Sequence, residues 1–226
     1  MKINDKVTLL ESSKGSFVYL VCGKENILID TGFAWQGRRI IKELESMKIK
    51  PESIKHIFLT HYDLDHIGNA VMLQKYTGAK IWSSETDKPY ILGEIHRPGF
   101  KKYLPYIFRV KKPESICSFE KECDPAGMQV DVQVISTPGH TPGHICFLFE
   151  DVLFAGDLIK IEDGKVLPYP SAWNWNNEEL MRSIRYVSQY AFNWICPAHG
   201  RPIKRDAISF FAHKRSTSDN SINVYL

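Results

Sequence analysis

The most informative stretch of this sequence is Thr60-His61-Tyr62-Asp63-Leu64-Asp65-His66, which directly follows the apolar run Ile57-Phe58-Leu59. If the chain stays extended beyond Leu59, the two-residue period of a strand turns His61, Asp63 and Asp65 to one side. We then expect His66 to open a helix, where the change of direction aims its ring at a second centre. Two histidines and two aspartates at this spacing predict an anchor for a pair of metal ions.

Three further segments place ligand-type side chains directly after strand-like runs. They are Thr137-Pro138-Gly139-His140, Ala155-Gly156-Asp157 and Pro197-Ala198-His199-Gly200. Any one of these residues, taken alone, is more simply a cap or a loop residue. Four such segments in order indicate instead a shared site at the strand ends, where a rigid scaffold can hold several side chains together. Imidazole and carboxylate ligands suit zinc, iron or manganese, at two centres joined by a bridging carboxylate.

The apolar pattern around these segments predicts two strand-rich halves, each closed by helices. Three short runs at the start alternate with turn residues as in a β-meander. The predicted strands are 7–10, 17–22, 27–29, 57–59, 80–82, 130–135, 145–149, 152–154 and 192–196, and the predicted helices are 39–47, 68–76 and 178–190. Such an α/β pattern favours a four-layer αββα sandwich, here a single domain spanning residues 1–226.

Residues of about 84–126 interrupt this pattern and are predicted to form a partly helical insertion over the site. The segment is rich in proline and aromatic residues, with seven Lys/Arg against four Asp/Glu between Glu85 and Glu114. One interpretation is an aromatic and basic wall for an amphiphilic, acidic substrate. The simpler interpretation, which we prefer at this point, is a helical hairpin with core aromatics and solvated lysines. Whether the insertion is a lid or a dimer contact is left open.

Composition limits the other functions that this chain can have. A formal net charge of +3 is too small to indicate nucleic acid, and no run approaches the roughly 20 apolar residues that cross a bilayer. The first ten residues do not resemble a secretory signal. The five cysteines are scattered, with Cys22 and Cys146 inside apolar runs, and only Cys117 and Cys123 suggest a disulfide. We therefore expect a cytoplasmic protein with reduced thiols.

The order of these motifs resembles that of the metallo-β-lactamase superfamily over almost the whole chain. Asp30-Thr31-Gly32 looks like the first motif, and Thr137 to His144 is similar to the glyoxalase II and acyl-homoserine-lactone lactonase versions of the third. The resemblance implies the αββα fold and two divalent metal ions, zinc or iron and manganese. It implies the following assignment: His61, Asp63 and His140 at the first metal, Asp65, His66 and His199 at the second, Asp157 bridging, and Asp30 and His144 supporting the ligands without binding metal.

Asp63 departs from the usual HxHxDH pattern, in which a histidine occupies this position. Flavodiiron reductases also have a carboxylate there, a glutamate, and bind two irons. Two divalent ions contribute +4, and Asp63, Asp65, Asp157 and a hydroxide subtract four, so the site is expected to be roughly neutral. The extra oxygen ligand favours iron or manganese over zinc at the first centre.

The resemblance implies a hydrolase in which a metal-bridging hydroxide attacks an ester, thioester or lactone, with Asp65 and Asp157 as catalytic residues. Tyr62, Tyr169 and Trp173 are candidate contacts for a small-molecule substrate. Alternatives are a flavodiiron-like redox protein with a separate electron donor, a phosphodiesterase of the same fold, and a non-enzymatic sensor. Glyoxalase II carries a further glutathione-binding domain that these 226 residues are too short to include, so we do not expect a glutathione substrate. A homodimer is a possible assembly.

Overall fold

A computed structural model describes residues 1–97, 102–119 and 131–205 of the chain. Its first sheet has six strands in the order β1 to β6. These strands are β1 (Val7–Leu10), β2 (Val18–Val21), β3 (Asn26–Ile29), β4 (Ile54–Phe58), β5 (Lys80–Ser83) and β6 (Cys117–Ser118). The first three form an antiparallel meander, and β3 to β6 run parallel.

The second sheet is built from the later part of the chain. Its strands are β7 (Val132–Ser136), β8 (Ile145–Phe149), β9 (Val152–Gly156), β12 (Trp194–Pro197) and β13 (Ile203–Lys204). They are ordered β13-β12-β9-β8-β7, and β9 and β12 pair in parallel. A separate hairpin joins β10 (Ile159–Glu162) to β11 (Lys165–Pro168).

Six α-helices lie in the described residues: α1 (Gly37–Ser46), α2 (Leu64–Ile67), α3 (Ala70–Thr77), α4 (Lys88–Leu92), α5 (Leu104–Ile107) and α6 (Asn177–Val187). Side chains of α1 and α3 pack in one apolar cluster against the first sheet. Those of α6 pack in another against the second sheet. A third cluster, containing Phe58, Trp82 and Phe147, lies between the two sheets. The predicted αββα order of layers is therefore confirmed.

Side-chain alternation explains why the strands bury both faces. In β1, Leu9 belongs to the cluster between the sheets, while the next residue, Leu10, belongs to the cluster under the helices. Phe58 and Ile57 divide in the same way in β4. A strand covered on both sides reads as a continuous apolar run, because successive side chains point to opposite faces.

Several predicted elements need correction. The β10–β11 hairpin was not predicted, although its turn, Asp163-Gly164, has positive φ at both residues and is a strong hairpin signal. Residues 117–118, assigned to the insertion, pair with β5 at the edge of the first sheet. The predicted end of the insertion and the Cys117–Cys123 pairing lie outside the described residues. Cys22 and Cys146 are free thiols.

The helices found in the described part of the chain include none that is long and apolar enough to cross a membrane.

Candidate metal centre

In residues 60–66 the helix begins earlier than the sequence predicted. Asp63 is the residue before α2, with extended backbone at φ −68° and ψ 154°. Leu64 rather than His66 opens the helix, so Asp65 lies in its first turn and is not part of an extended run. The side chains still converge, since the ligand-type atoms of His61, Asp63, Asp65 and His66 all belong to close groups of such atoms.

Seven side chains form three groups of three. Within each group the ligand-type atoms lie within 4.8 Å of one another, and some residues belong to two groups. All seven are residues that the sequence assigned to the metals. The groups are His61, Asp63 and His140; His61, His66 and Asp157; and Asp65, His66 and His199. They come from the ends of β4 and β9, the loop before β8 and the loop after β12. The first and third groups share no residue, which is the arrangement that two neighbouring centres require.

Asp157 lies between these two groups and divides its carboxylate oxygens between them. Oδ1 lies 3.4 Å from Nε2 of both His66 and His199. Oδ2 lies 3.5 Å from Nε2 of His140 and 3.9 Å from Nε2 of His61. A carboxylate with one oxygen facing each group is suited to bridge two ions.

Four buried atoms at this point have no hydrogen-bond partner among the described residues. They are Nε2 of His61, His66 and His199 and Oδ1 of Asp157. Leaving several polar atoms buried and unsatisfied is costly, and native proteins rarely do so without a reason. Because imidazole nitrogen and carboxylate oxygen are metal donors, these residues fit a pair of divalent ions.

Asp30 fixes the ring of His66 from below. Its Oδ2 lies 2.8 Å from Nδ1 of His66, and its Oδ1 accepts a 2.8 Å hydrogen bond from the backbone N–H of Thr60. Asp30 itself is held at φ 60°. An Nδ1–H that donates to this carboxylate leaves Nε2 of His66 as a lone-pair donor toward the site.

Asn174 orients the ring of His140 as Asp30 orients that of His66, and the sequence did not predict this role. Its Oδ1 lies 3.0 Å from Nδ1 of His140, and its Nδ2 donates to the carbonyl of Tyr169. Since an amide oxygen only accepts, His140 must donate from Nδ1 and keep Nε2 for a metal. An asparagine in a proline-rich loop carries no local signal for this role.

His144 has no nitrogen left for a metal. Its Nε2 accepts from the backbone N–H of Asp157 at 3.1 Å, and its Nδ1 contacts Thr137 Oγ1 at 2.8 Å. Burial lowers the pKa of His144 to about 3, so the ring is neutral. Gly156 has to be a glycine, because at φ 49° a Cβ would lie 2.7 Å from this imidazole.

Asp87 joins the two loops that bear ligands, and it too was missed. Its Oδ2 accepts from the backbone N–H of Tyr62 at 3.1 Å and from Thr141 Oγ1 at 2.8 Å. Its Oδ1 accepts from the backbone N–H of Gly143 at 2.9 Å. Burial raises the pKa of this carboxyl to about 7, against the effect of the three donors. The insertion therefore contributes directly to the positions of the ligands.

The electrostatics of the centre favour binding of a cation. Although burial alone would lower the pKa of His199, the carboxylates of Asp157 and Asp65 raise it to about 10. For Asp157 the effects have the opposite sign. Burial alone would raise the pKa of its carboxyl group, but His199 and His66 hold that pKa well below its usual range. A metal ion binding here must displace protons from imidazoles that are held by carboxylates.

A cavity of about 280 Å³ opens onto Asp63, Asp65 and His199. Tyr169 and Trp173 line it, together with Phe33, Ala34, Trp35, Leu64, Arg97, Phe108 and Val110. Tyr62 does not line it. Its ring is buried in the core and stacks on Tyr90, with centroids 4.7 Å apart, so the structure places this candidate substrate contact among core residues rather than on the cavity surface.

The insertion follows neither interpretation fully. Tyr90 packs against the core, as the simpler interpretation requires. Tyr103, Tyr106 and Phe108 are 58%, 66% and 42% exposed, so the prediction that the insertion's aromatics are core residues is wrong for these three. The ring centroid of Phe108 lies 5.9 Å from that of Trp35, which stacks on Phe33. These three rings form an aromatic side of the cavity.

A four-layer sandwich with a histidine and aspartate cluster at its strand ends defines a known class of metalloprotein. The family model of the metallo-beta-lactamase superfamily matches residues 14–199. The chain belongs to this superfamily, as the motifs predicted.

Curated relatives include several proteins named as hydrolases. Hydroxyacylglutathione hydrolase GloC of Haemophilus influenzae is 29% identical over 60% of this chain and 62% of its own length. Atrochrysone carboxyl ACP thioesterase of Aspergillus fumigatus is 28% identical over 84% of this chain, but over only 39% of its own length. YobT of Bacillus subtilis is 28% identical over 81% of this chain and 82% of its own length.

Solved structures share the fold at lower identity. TTHA1623, determined in a di-iron-bound form, aligns with a TM-score of 0.64 and 24% identity, over 84% of this chain and 89% of its own. A metallo-beta-lactamase from Cronobacter sakazakii aligns with a TM-score of 0.66 and 20% identity, over 88% and 79% of the two chains.

Proposed function

We propose that this protein is a hydrolase that uses two divalent metal ions. His61, Asp63 and His140 would hold one ion, Asp65, His66 and His199 the other, and Asp157 would bridge them. The observation that carries the proposal is the position of Asp157, whose two oxygens face different histidine pairs at 3.4 to 3.9 Å. A structural site for a single ion would need only one of these sets of ligands.

Bound ions would polarise a substrate carbonyl and acidify a water molecule as the nucleophile. Asp65 lies on the cavity surface, with Oδ2 3.2 Å from Nε2 of His199, and is placed to accept a proton from that water. Tyr169 lies near histidines of both groups, its ring centroid 4.5 Å from that of His140 and 5.5 Å from that of His199. In the metal-free protein, burial, followed by the charges of Asp157 and Asp65, raises the pKa of its hydroxyl. As a protonated phenol, Tyr169 would be a hydrogen-bond donor to a developing oxyanion.

The cavity favours a carboxylic ester, thioester or lactone with an apolar acyl group. Phe33, Trp35 and Phe108 offer an aromatic surface beside Asp63 and Asp65, with Trp173 on the loop that also carries Tyr169. Large aromatic rings bind apolar groups through the surface they remove from water. The names of GloC and of the ACP thioesterase agree with an acyl-transfer substrate of this kind.

Esterase, thioesterase, lactonase and phosphodiesterase assays on one preparation test the proposal. Metal is removed with a chelator and returned as zinc, manganese or ferrous iron, and each form is assayed on acyl chains of two to eight carbons. We expect activity to require metal and to rise with acyl length. Asp157→Asn should abolish activity and halve the metal content or worse, while Asp163→Asn, in the exposed β10–β11 turn, should change neither.

Two results would contradict the proposal. Full metal loading without hydrolysis of any substrate in the panel would remove the hydrolase function. Oxygen consumption with a reductant, together with visible absorbance of bound iron, would favour a diiron redox protein instead. The carboxylate at position 63 leads us to expect the highest activity with iron or manganese rather than zinc.

A further inference from the structure

Arg97 is a buried cation beside the proposed metal centre. Its side chain is only 7% exposed, and its Nη2 donates to the backbone carbonyl of Tyr62. The guanidinium lies 5.3 Å from the centroid of the Tyr62 ring. Its Nε is buried with no hydrogen-bond partner among the described residues. Burying a guanidinium with so few partners is costly unless a nearby negative charge compensates it.

Asp63 is the carboxylate that the geometry supplies. It follows Tyr62 directly, so the guanidinium binds the backbone carbonyl one residue before the carboxylate that leads into α2. Both side chains line the same cavity, and Arg97 is the one Lys or Arg among the described residues that do so. Burial lowers the pKa of Arg97, and the charge of Asp63 is the largest influence opposing that shift.

We propose that Arg97 is the counter-charge of Asp63, so that the insertion and the carboxylate at position 63 work as one unit. The part of this proposal that concerns metal rests on the proposed function. Two divalent ions, three aspartates and a hydroxide sum to zero. Arg97 adds one positive charge, which is the total that the site would have with a neutral imidazole at position 63. The aspartate thus provides an oxygen ligand without lowering the net charge around the ions.

Two other roles for Arg97 have to be distinguished from this one. It could simply pack on Tyr62, since a guanidinium on an aromatic face is favourable by itself. It could also serve Asp87, which lies near enough to influence it. Asp87, however, already accepts hydrogen bonds on both oxygens from Tyr62, Thr141 and Gly143.

Thermal unfolding of the metal-free protein tests the pairing independently of any activity. Arg97→Met keeps most of the packing of the side chain and removes its charge. We expect it to lower Tm by about 4–8 °C in the otherwise native chain and by less than about 2 °C when Asp63→Asn is present. Asp65→Asn, a change of the same kind in the same cavity, is the control background and should leave the full loss. An equal loss in all three backgrounds would overturn the pairing.

Metal affinity, measured by competition with a chromogenic chelator, gives the second readout. If Arg97 is a counter-charge, Arg97→Met should bind divalent ions about tenfold more tightly, because a positive charge near them is gone. Arg97→Lys, which keeps the charge, should stay near the native affinity. Weaker binding in Arg97→Met would identify Arg97 as a packing residue and overturn the proposal. Failure of hydrolysis alone would contradict the proposed function and leave the Tm result standing.

Discussion

Replacing Asp87 by asparagine should change how the stability of this protein depends on pH. The carboxyl group is fully buried in the protein and accepts three hydrogen bonds, yet its pKa is raised from an ordinary 3.8 to about 7. The folded protein therefore holds this proton more tightly than the unfolded chain does. It follows that the stability contributed by protonated Asp87 is complete below about pH 4 and is lost as the pH rises through 7.

The size of the effect follows from the two pKa values. Between them, each pH unit costs about 1.4 kcal/mol of folding free energy, and above the higher one the cost levels off. From pH 5.5 to pH 8.5 the native protein should therefore lose about 2 kcal/mol through Asp87. For a chain of this length that corresponds to about 4–8 °C in Tm. Asparagine does not titrate, so Asp87→Asn loses this component entirely.

The measurement is the difference in Tm between native protein and Asp87→Asn, taken at pH 5.5 and 8.5 with metal removed. We expect the variant to be less stable at pH 5.5, because an amide N–H₂ faces hydrogen-bond donors. The gap should shrink by about 4–8 °C at pH 8.5. Asp163→Asn, at an exposed turn, should show no such change. A gap that is the same at both pH values would mean that the three donors keep Asp87 ionised throughout, which would refute the reasoning.

Three further outcomes follow from the centre. Asp63→His should shift metal preference toward zinc with the fold intact; unchanged metal content by mass spectrometry would argue that Asp63 is not a ligand. Asn174→Ala should weaken metal binding by about 10–100-fold, since His140 loses its orienting partner; chelator competition measures this, and Asn193→Ala, whose exposed side chain donates to Asp151, is the control. Metal affinity should fall as the pH drops from 8 to 6, because the pKa of His199 is raised to about 10 and protons compete for the site. A pH-independent affinity would contradict this last expectation.

The sequence predicted the parts of this protein that depend on local pattern. The candidate ligands His61, His140, Asp157 and His199 could be predicted because each follows an apolar run that forms a strand. The four layers followed from the same runs. The turn at Asp63-Leu64 was placed wrongly, since alternation along a strand does not reveal where a helix begins. The β10–β11 hairpin was not predicted, although its Asp163-Gly164 turn is a clear local signal.

Asp30 and His144 were expected as supporting residues from the family resemblance. Asp87 and Asn174 could not be predicted, because their roles depend on contacts between distant segments. Asp87 accepts from residues 25 and 56 positions away, and Asn174 lies 34 positions from His140. An aspartate in a basic, aromatic segment resembles any surface acid until the fold brings it against the ligand loops. Such groups decide the ring orientation and charge of the ligands, so they control the chemistry as much as the ligands do.

This distinction changes the meaning of Asp63. Considered with its sequence neighbours alone, it makes the site neutral and predicts a weaker attraction for anionic substrates. Considered with Arg97, which lines the same cavity from the insertion, it lies in surroundings that also hold a positive charge. The charge of a metal site is a property of every group that shares its low-dielectric surroundings. A ligand motif therefore predicts which atoms bind, whereas the net charge that those atoms experience depends on residues that the motif does not contain.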